Sequence, residues 1–152
     1  MYHEMTKGLL TTLGVLSVVG AVLCPVASYA NELDSQLDCK SSAHTFIASL
    51  INDGYVEPKP MRVEANSVNA FRPTHGSDLT AFGFRVHAIF GYERDDEMFK
   101  KGSGKAVADS LYGVVVLGSA ESVMMRLRQA GSVAVVHEVL PLVLTAVICN
   151  EH

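Results

Sequence analysis

The groups with the clearest chemical potential lie in one short stretch, Thr74 to Asp78, which reads THGSD. It holds an imidazole (His75), a hydroxyl (Ser77) and a carboxylate (Asp78). A hydrolase needs such groups within hydrogen-bonding reach of one another, and they usually come from separate segments of a chain. The stretch is also rich in turn-forming residues. We therefore interpret it as a surface turn and, because loops often carry function, as a candidate contact loop formed by His75, Ser77 and Asp78.

Other reactive side chains follow no recognised catalytic or metal-binding motif. The histidines after residue 30 never show the i, i+4 spacing of a helical metal pair, and no Cys-x-x-Cys occurs. The segment Gly102 to Lys105 (GSGK) lacks the first glycine and the final hydroxyl of a phosphate loop. The segment Glu93 to Glu97 (ERDDE) lacks the order of a calcium loop. We assign no catalytic residue and expect neither a metal nor another cofactor.

The first thirty residues are typical of a cleavable signal peptide. Leu9 to Leu23 is uncharged and mostly apolar, which is too short for a transmembrane helix but suits the apolar region of a leader. Small residues at Ser28 and Ala30 match the preference of signal peptidase. The sequence therefore predicts cleavage between Ala30 and Asn31, with residues 31–152 as a single exported domain.

Two alternatives for the leader stay open at this point. Cys24 could be lipidated after cleavage in front of it, although Leu23 is larger than the small residue that such a cut requires. The apolar segment could also remain uncut as an anchor. Translation could start at Met5 instead of Met1, because Met5 gives a leader that begins without Glu4.

Two cysteines, Cys39 and Cys149, remain after the predicted cleavage. In an oxidising compartment an even number of cysteines favours a disulfide. The alternatives are two buried free thiols or a redox pair, but redox pairs normally lie close together in sequence. We therefore predict a structural Cys39–Cys149 disulfide that closes most of the domain into one loop.

Composition restricts the partners. The formal net charge is −4 and no basic run occurs, which argues against binding to nucleic acid or to an anionic membrane surface. The part after residue 30 contains no apolar stretch long enough to span a membrane. The absence of an Asn-x-Ser/Thr acceptor agrees with a bacterial source. We expect a periplasmic or secreted bacterial protein whose partner is another protein.

The spacing of apolar residues predicts an α+β fold. Helical periodicity appears from Ala43 to Ile51 and from Ala120 to Ala130, in each case after a serine that can cap the helix. Strand-like stretches cover residues 61–71, 79–92 and 107–117, and then 133–140 and 142–149. The last two form either two strands or one strand bent at Pro141.

The predicted order is α-β-β-β-α-β(-β), which indicates an antiparallel sheet of four or five strands with two helices on one face. Strict alternation in 79–92 would place its phenylalanines together with Val86 and Ala88 on one face. The other face would then be solvated and would carry Arg85 and His87, together with His137 and Glu138 of the last strand.

We interpret the chain as a small exported binding, inhibitor or immunity-type protein that contacts another protein, because no catalytic signature is assembled. One alternative is a small envelope hydrolase that uses His75, Asp78 and His87 as acid and base groups. A second is a carrier of a small apolar ligand. Its cavity would be lined by Phe82, Phe84, Phe90 and Val114 to Val116.

Overall fold

The computed structural model describes Gly20 and residues 31–150, so the predicted leader, apart from Gly20, lies outside the described residues. Its helices are α1 (Ala43–Asn52) and α2 (Ala120–Gln129), with a 3-10 turn at Asp34–Leu37. Its strands are β1 (Asn31–Glu32), β2 (Arg62–Val63), β3 (Asn69–Phe71), β4 (Leu79–Ala81), β5 (Phe84–Glu93), β6 (Ser110–Leu117), β7 (Val135–Leu140) and β8 (Leu144–Asn150). The predicted α+β class and the two helices are confirmed.

The strands form a mixed sheet, not the purely antiparallel sheet of four or five strands that we predicted. Its order is β1-β4-β5-β6-β8-β7, and the β2–β3 hairpin joins it through pairing of β3 with β5. The pair β1–β4 is parallel, whereas the other pairs are antiparallel. In the described part of the chain the sheet has 8 strands, because two of the five predicted strand stretches (61–71 and 79–92) each contain a turn and β1 had no sequence signal.

A turn interrupts the strand predicted for residues 61–71. Val63 pairs with Asn69, and the chain reverses between them with Ser67 at φ 72°. The strand predicted for 79–92 is likewise two strands, because Ala81 pairs with Phe84 across Phe82 and Gly83. Phe82 and Gly83 have positive φ (51° and 83°), as a two-residue type I′ hairpin requires.

A bulge in β5 changes which side chains face the core. Val86 pairs with Val116, but Ala88 pairs with Val115, so His87 is an extra residue on its strand. The bulge reverses the alternation, and Ile89 enters the helix-covered core whereas Phe90 lies in the apolar cluster of the opposite face. The predicted grouping of Phe90 with Val86 on one face was therefore wrong.

Both helices pack on the same face of the sheet, as predicted. Ser42 and Ser119 cap their N-termini by accepting backbone N–H bonds. Glycines with positive φ, Gly54 and Gly131, follow their C-termini. A single core unites the buried residues of both helices with those of the central strands. They are Phe46, Ile47, Leu50, Val123, Leu127, Ile89, Val114, Val116 and Val147.

The predicted disulfide is confirmed. Cys39 is bonded to Cys149, the Cα atoms are 4.9 Å apart, and 110 positions separate the two residues in sequence. The bond joins the segment before α1 to the end of β8, and Cys149 is buried in the core. Within the part of the chain that the structure describes, no helix is long and apolar enough to cross a membrane.

Candidate functional site

The candidate contact loop forms one wall of an open pocket of about 450 Å³. Residues 72–78 face the strand segment 85–87 and Leu117 across this pocket. The three groups of the hydrolase hypothesis, His75, Asp78 and His87, therefore line a single depression, although they come from two segments. The sequence could not show this, because it depends on how the loop after β3 packs beside β5.

Backbone hydrogen bonds pin the contact loop at both ends. The N–H of Thr74 donates to the carbonyl oxygen of Tyr55 at 2.8 Å, and the N–H of Asn31 donates to that of Asp78 at 2.9 Å. The Ser77 hydroxyl donates to the carbonyl oxygen of Thr74 at 2.7 Å and lies 3.1 Å from that of Tyr55. This hydroxyl is therefore committed to the backbone of its own turn and is poorly placed to act as a nucleophile.

The side chains of His75, Asp78 and His87 are exposed. No hydrogen bond joins any two of them in the described residues, and no group of three metal-ligating side chains occurs there. The nearest charged neighbours in the pocket are Arg72 and Arg85. The pocket is thus polar and cationic, but its acid and base groups are not linked as a general acid–base pair requires.

A second depression lies on the open face of the sheet, opposite the helices. It has a volume of about 630 Å³, and Phe90, Val115 and Ala146 contribute its apolar lining. The loop Glu64–Val68 borders it on one side and the strand segment His137–Val139 on the other. His137 and Glu138 are exposed, as predicted for a solvated face, and they line this groove together with its apolar side chains.

The apolar-carrier hypothesis named six residues, and only two of them line this groove. Phe90 and Val115 do so, whereas Phe82, Val114 and Val116 are buried in the helix-covered core and Phe84 packs against it. The cavity predicted from those six residues is therefore not formed as one unit. The bulge at His87 separates Phe90 from Phe84, and the ordinary alternation along β6 separates Val115 from Val114 and Val116.

The rim loop of the groove is held by one buried amide, Asn69, whose side chain is fully buried. Its Nδ2 donates to the carbonyl oxygens of Ser67 and Lys100, each at 2.8 Å, and its Oδ1 accepts from the N–H of Lys100 at 3.0 Å. Gly102 lies so close to this loop that an added Cβ would sit 2.1 Å from the Glu64 carbonyl oxygen. Gly102, the first glycine of GSGK, is therefore needed for the close packing of its own loop against the loop that contains Glu64.

The most unusual surface is the β7–β8 hairpin together with the segment just before it, which expose six large apolar side chains. Leu142 is 81% exposed and Val133 is 74% exposed, while the other four are between 47% and 52% exposed. We call this set the hairpin patch. It consists of Val133, Val135, Val139, Leu140, Leu142 and Val143. Scattered apolar side chains are normal on protein surfaces, but several close together in sequence make this hairpin a candidate contact surface.

The tip of this hairpin contains a leucine in an unfavourable backbone conformation. The N–H of Val143 donates to the carbonyl oxygen of Leu140 at 3.0 Å, which closes a four-residue turn. Pro141 occupies the first central position and Leu142 the second, with φ 63°. This is the pattern of a type II turn, whose second central residue is normally glycine or asparagine. No hairpin signal is visible in the sequence at this position, because leucine replaces the expected residue.

The disulfide region contains a tyrosine, Tyr112, whose acidity is altered by its surroundings. Burial raises the pKa of the Tyr112 hydroxyl above its ordinary value, and the negative charge of Asp38 raises it further. The hydroxyl lies 3.4 Å from the Gln36 carbonyl oxygen and the same distance from the Ser41 amide nitrogen. Its ring packs on Phe46, with 4.7 Å between centroids. This arrangement is structural, because it joins the segment around Cys39 to β6 and α1.

Comparison with known proteins identifies no relative: the chain matches no protein-family model, and neither a curated protein nor a solved structure is detectably similar to it.

Proposed function

We propose that this protein is an exported binding protein and that its β7–β8 hairpin recognises an extended segment of another protein. The hairpin patch is the observation that supports this proposal, since six exposed apolar side chains on one hairpin and the segment before it are costly to leave in water. The partner would cover them and remove that cost.

The position of β7 in the sheet supports recognition by strand addition. Among residues 31–150 no strand pairs with its outer side, because β7 is the last strand in the order. Proteins usually protect such an edge with lysine, proline or a covering element. The residues Val135–Leu140 include no lysine and no proline, and only His137 and Glu138 are polar. The backbone of β7 can therefore pair with a partner strand, whose apolar side chains would meet the patch.

The conformation of Leu142 is a second, independent support. A residue with a Cβ in the left-handed region costs about 1 kcal/mol or more, and Leu142 recovers almost nothing by burial. Backbone strain of this kind is concentrated at functional positions. A leucine at this tip is better explained by a contact with a partner than by the stability of the free protein.

Export is part of the proposal. The Cys39–Cys149 disulfide is compatible with an oxidising compartment, and the first thirty residues have the pattern of a leader. The intact mass of the exported protein tests this part. We expect the mass of a chain that begins at Asn31, whereas the mass of a chain that retains residues 1–23 would contradict cleavage.

Matched variants test the binding proposal. Val135→Lys with Val139→Lys places two charges on the β7 edge, and Val107→Lys with Met61→Lys places the same charge at exposed apolar positions elsewhere. Each protein, produced from the full gene and purified oxidised, is immobilised and exposed to envelope extract and culture medium. We expect a stoichiometric partner that the wild type and the Val107/Met61 variant retain and the edge variant loses.

The affinity for the purified partner should fall at least about tenfold in the edge variant. Unfolding curves confirm that all proteins are folded. A partner that binds both variants equally would refute the role of the hairpin. If the only species retained is the protein itself, and sedimentation shows a dimer that the edge variant lacks, the partner is a second copy.

Hydrolysis remains the second candidate because His75, Asp78 and His87 line one pocket. An activity on a hydrolase substrate panel that His75→Ala and His87→Ala remove, and that the edge variant keeps, would favour this alternative.

A further inference from the structure

The pocket beside the contact loop has a local charge that differs from that of the whole protein. The chain carries a formal net charge of −4, but this pocket is lined by Arg72, Arg85, His75 and His87 against a single carboxylate, Asp78. Within residues 31–150 neither arginine forms an ion pair with a carboxylate. An arginine pair left without acidic partners in an acidic protein is a feature that requires an explanation.

We propose that this pocket binds an oxyanion, either a carboxylate or a phosphate group, through the guanidinium groups of Arg72 and Arg85. A guanidinium presents a planar set of N–H donors that matches two oxygens of such a group. This site lies outside the hairpin patch, and the inference does not depend on the proposed binding function.

The sheet brings the two arginines to the same pocket from different strands. Phe71 pairs with Ile89, so Arg72 falls beside Ala88 when the antiparallel register is continued by one residue. Arg85 and His87 flank the buried Val86 on β5, and both are exposed. Arg85 and His87 both line the pocket, and the bulge at His87 bends β5 at this point.

The remaining groups of the pocket determine which anion should bind. With histidine counted as neutral, two arginines and one aspartate give the lining a formal charge of +1. Asp78 opposes binding, and it favours a ligand that also carries a hydrogen-bond donor near its anionic group.

Nuclear magnetic resonance of the purified, oxidised protein can test the proposal. Sodium acetate, sodium phosphate and sodium chloride are titrated separately at equal ionic strength, and backbone amide shifts are followed. We expect saturable shifts in residues 72–78 and 85–87 with acetate, phosphate or both, and no saturation with chloride. The anion that saturates identifies the preferred group.

Two charge-matched variants complete the test. Arg72→Gln with Arg85→Gln should weaken binding at least about tenfold, whereas Lys59→Gln with Lys105→Gln removes the same charge elsewhere and should leave it unchanged. All four substituted side chains are exposed. The dispersion of the backbone amide signals verifies that each variant is folded. If the double arginine variant does not fold, the single Arg85→Gln variant takes its place. The proposal would be overturned if acetate and phosphate gave the same shifts as chloride. It would also be overturned if the saturable shifts persisted in the variant that lacks both arginines.

Discussion

Replacement of Asn69 by alanine should destabilise the protein by about 3 kcal/mol. The fully buried Asn69 side chain makes three hydrogen bonds, two as donor and one as acceptor, to Ser67 and Lys100. Each such bond contributes about 1 kcal/mol net, and buried partners left without a bond add to the loss. For a domain of this size a loss of about 3 kcal/mol lowers Tm by roughly 10 °C.

The isosteric variant Asn69→Asp separates hydrogen bonding from packing. Its shape is almost unchanged, but at neutral pH a buried carboxylate would face two carbonyl oxygens in place of the two N–H donors. We expect a larger loss than in Asn69→Ala at neutral pH. Part of it should be recovered in acid, because the protonated acid can donate one of the two bonds and the folded state then binds the proton more tightly than the unfolded state.

The assay is urea and thermal unfolding followed by circular dichroism, with the disulfide intact. Asn66→Ala is the control, because Asn66 lies in the same hairpin turn but is exposed. Its side chain makes one hydrogen bond, in which Oδ1 accepts from the N–H of Val68 at 3.2 Å. It should lose less than about 1 kcal/mol. Hydrogen exchange at residues 64–68 should accelerate in Asn69→Ala only. If Asn69→Ala is no less stable than Asn66→Ala, Asn69 does not hold the groove rim as we infer.

Three further predictions concern the disulfide, Tyr112 and Leu142. Cys39→Ala with Cys149→Ala should cost about 5 kcal/mol in chain-entropy terms for a sequence separation of 110; unchanged urea unfolding would contradict this. The pKa of Tyr112 is raised in the folded protein, so the folded state binds the hydroxyl proton more tightly than the unfolded state does. The resulting contribution to the free energy of unfolding is fully present below about pH 10 and is lost as the pH rises through the pKa of the folded state. From about pH 9 to about pH 11 the free energy of unfolding should therefore fall less steeply in Tyr112→Phe than in the wild type. Equal slopes in the two proteins would exclude Tyr112 as the cause of the loss of stability. Leu142→Asn should raise the free energy of unfolding by about 1 kcal/mol, because asparagine tolerates the positive φ, while binding to the partner weakens; a stability loss would refute the strain at this turn.

Helices, caps and the disulfide could be predicted from the sequence because their signals are local or countable. The apolar spacing of Phe46, Ile47 and Leu50 and the serine before Ala43 mark α1 without reference to any other segment. The pairing of Cys39 with Cys149 followed from there being two cysteines after residue 30. These features belong to single segments or to composition, so one sequence was sufficient.

The strand count, the faces of β5 and the candidate sites were decided by the tertiary structure. The bulge at His87 is defined by pairing with β6, and its effect on Phe90 cannot be read from alternation alone. The cationic pocket required the loop after β3 to pack beside β5, which joins Arg72 to Arg85.

The hairpin patch shows the same division most clearly. The β-branched residues of β7 favour a strand, and a strand of that composition could equally have been buried in the centre of the sheet. Whether β7 lies at the centre or at the edge depends on which strand pairs with its other side, and that is a long-range property of the fold. The sequence by itself determined that a strand would form there, and only the tertiary structure decided that its apolar side chains would meet solvent.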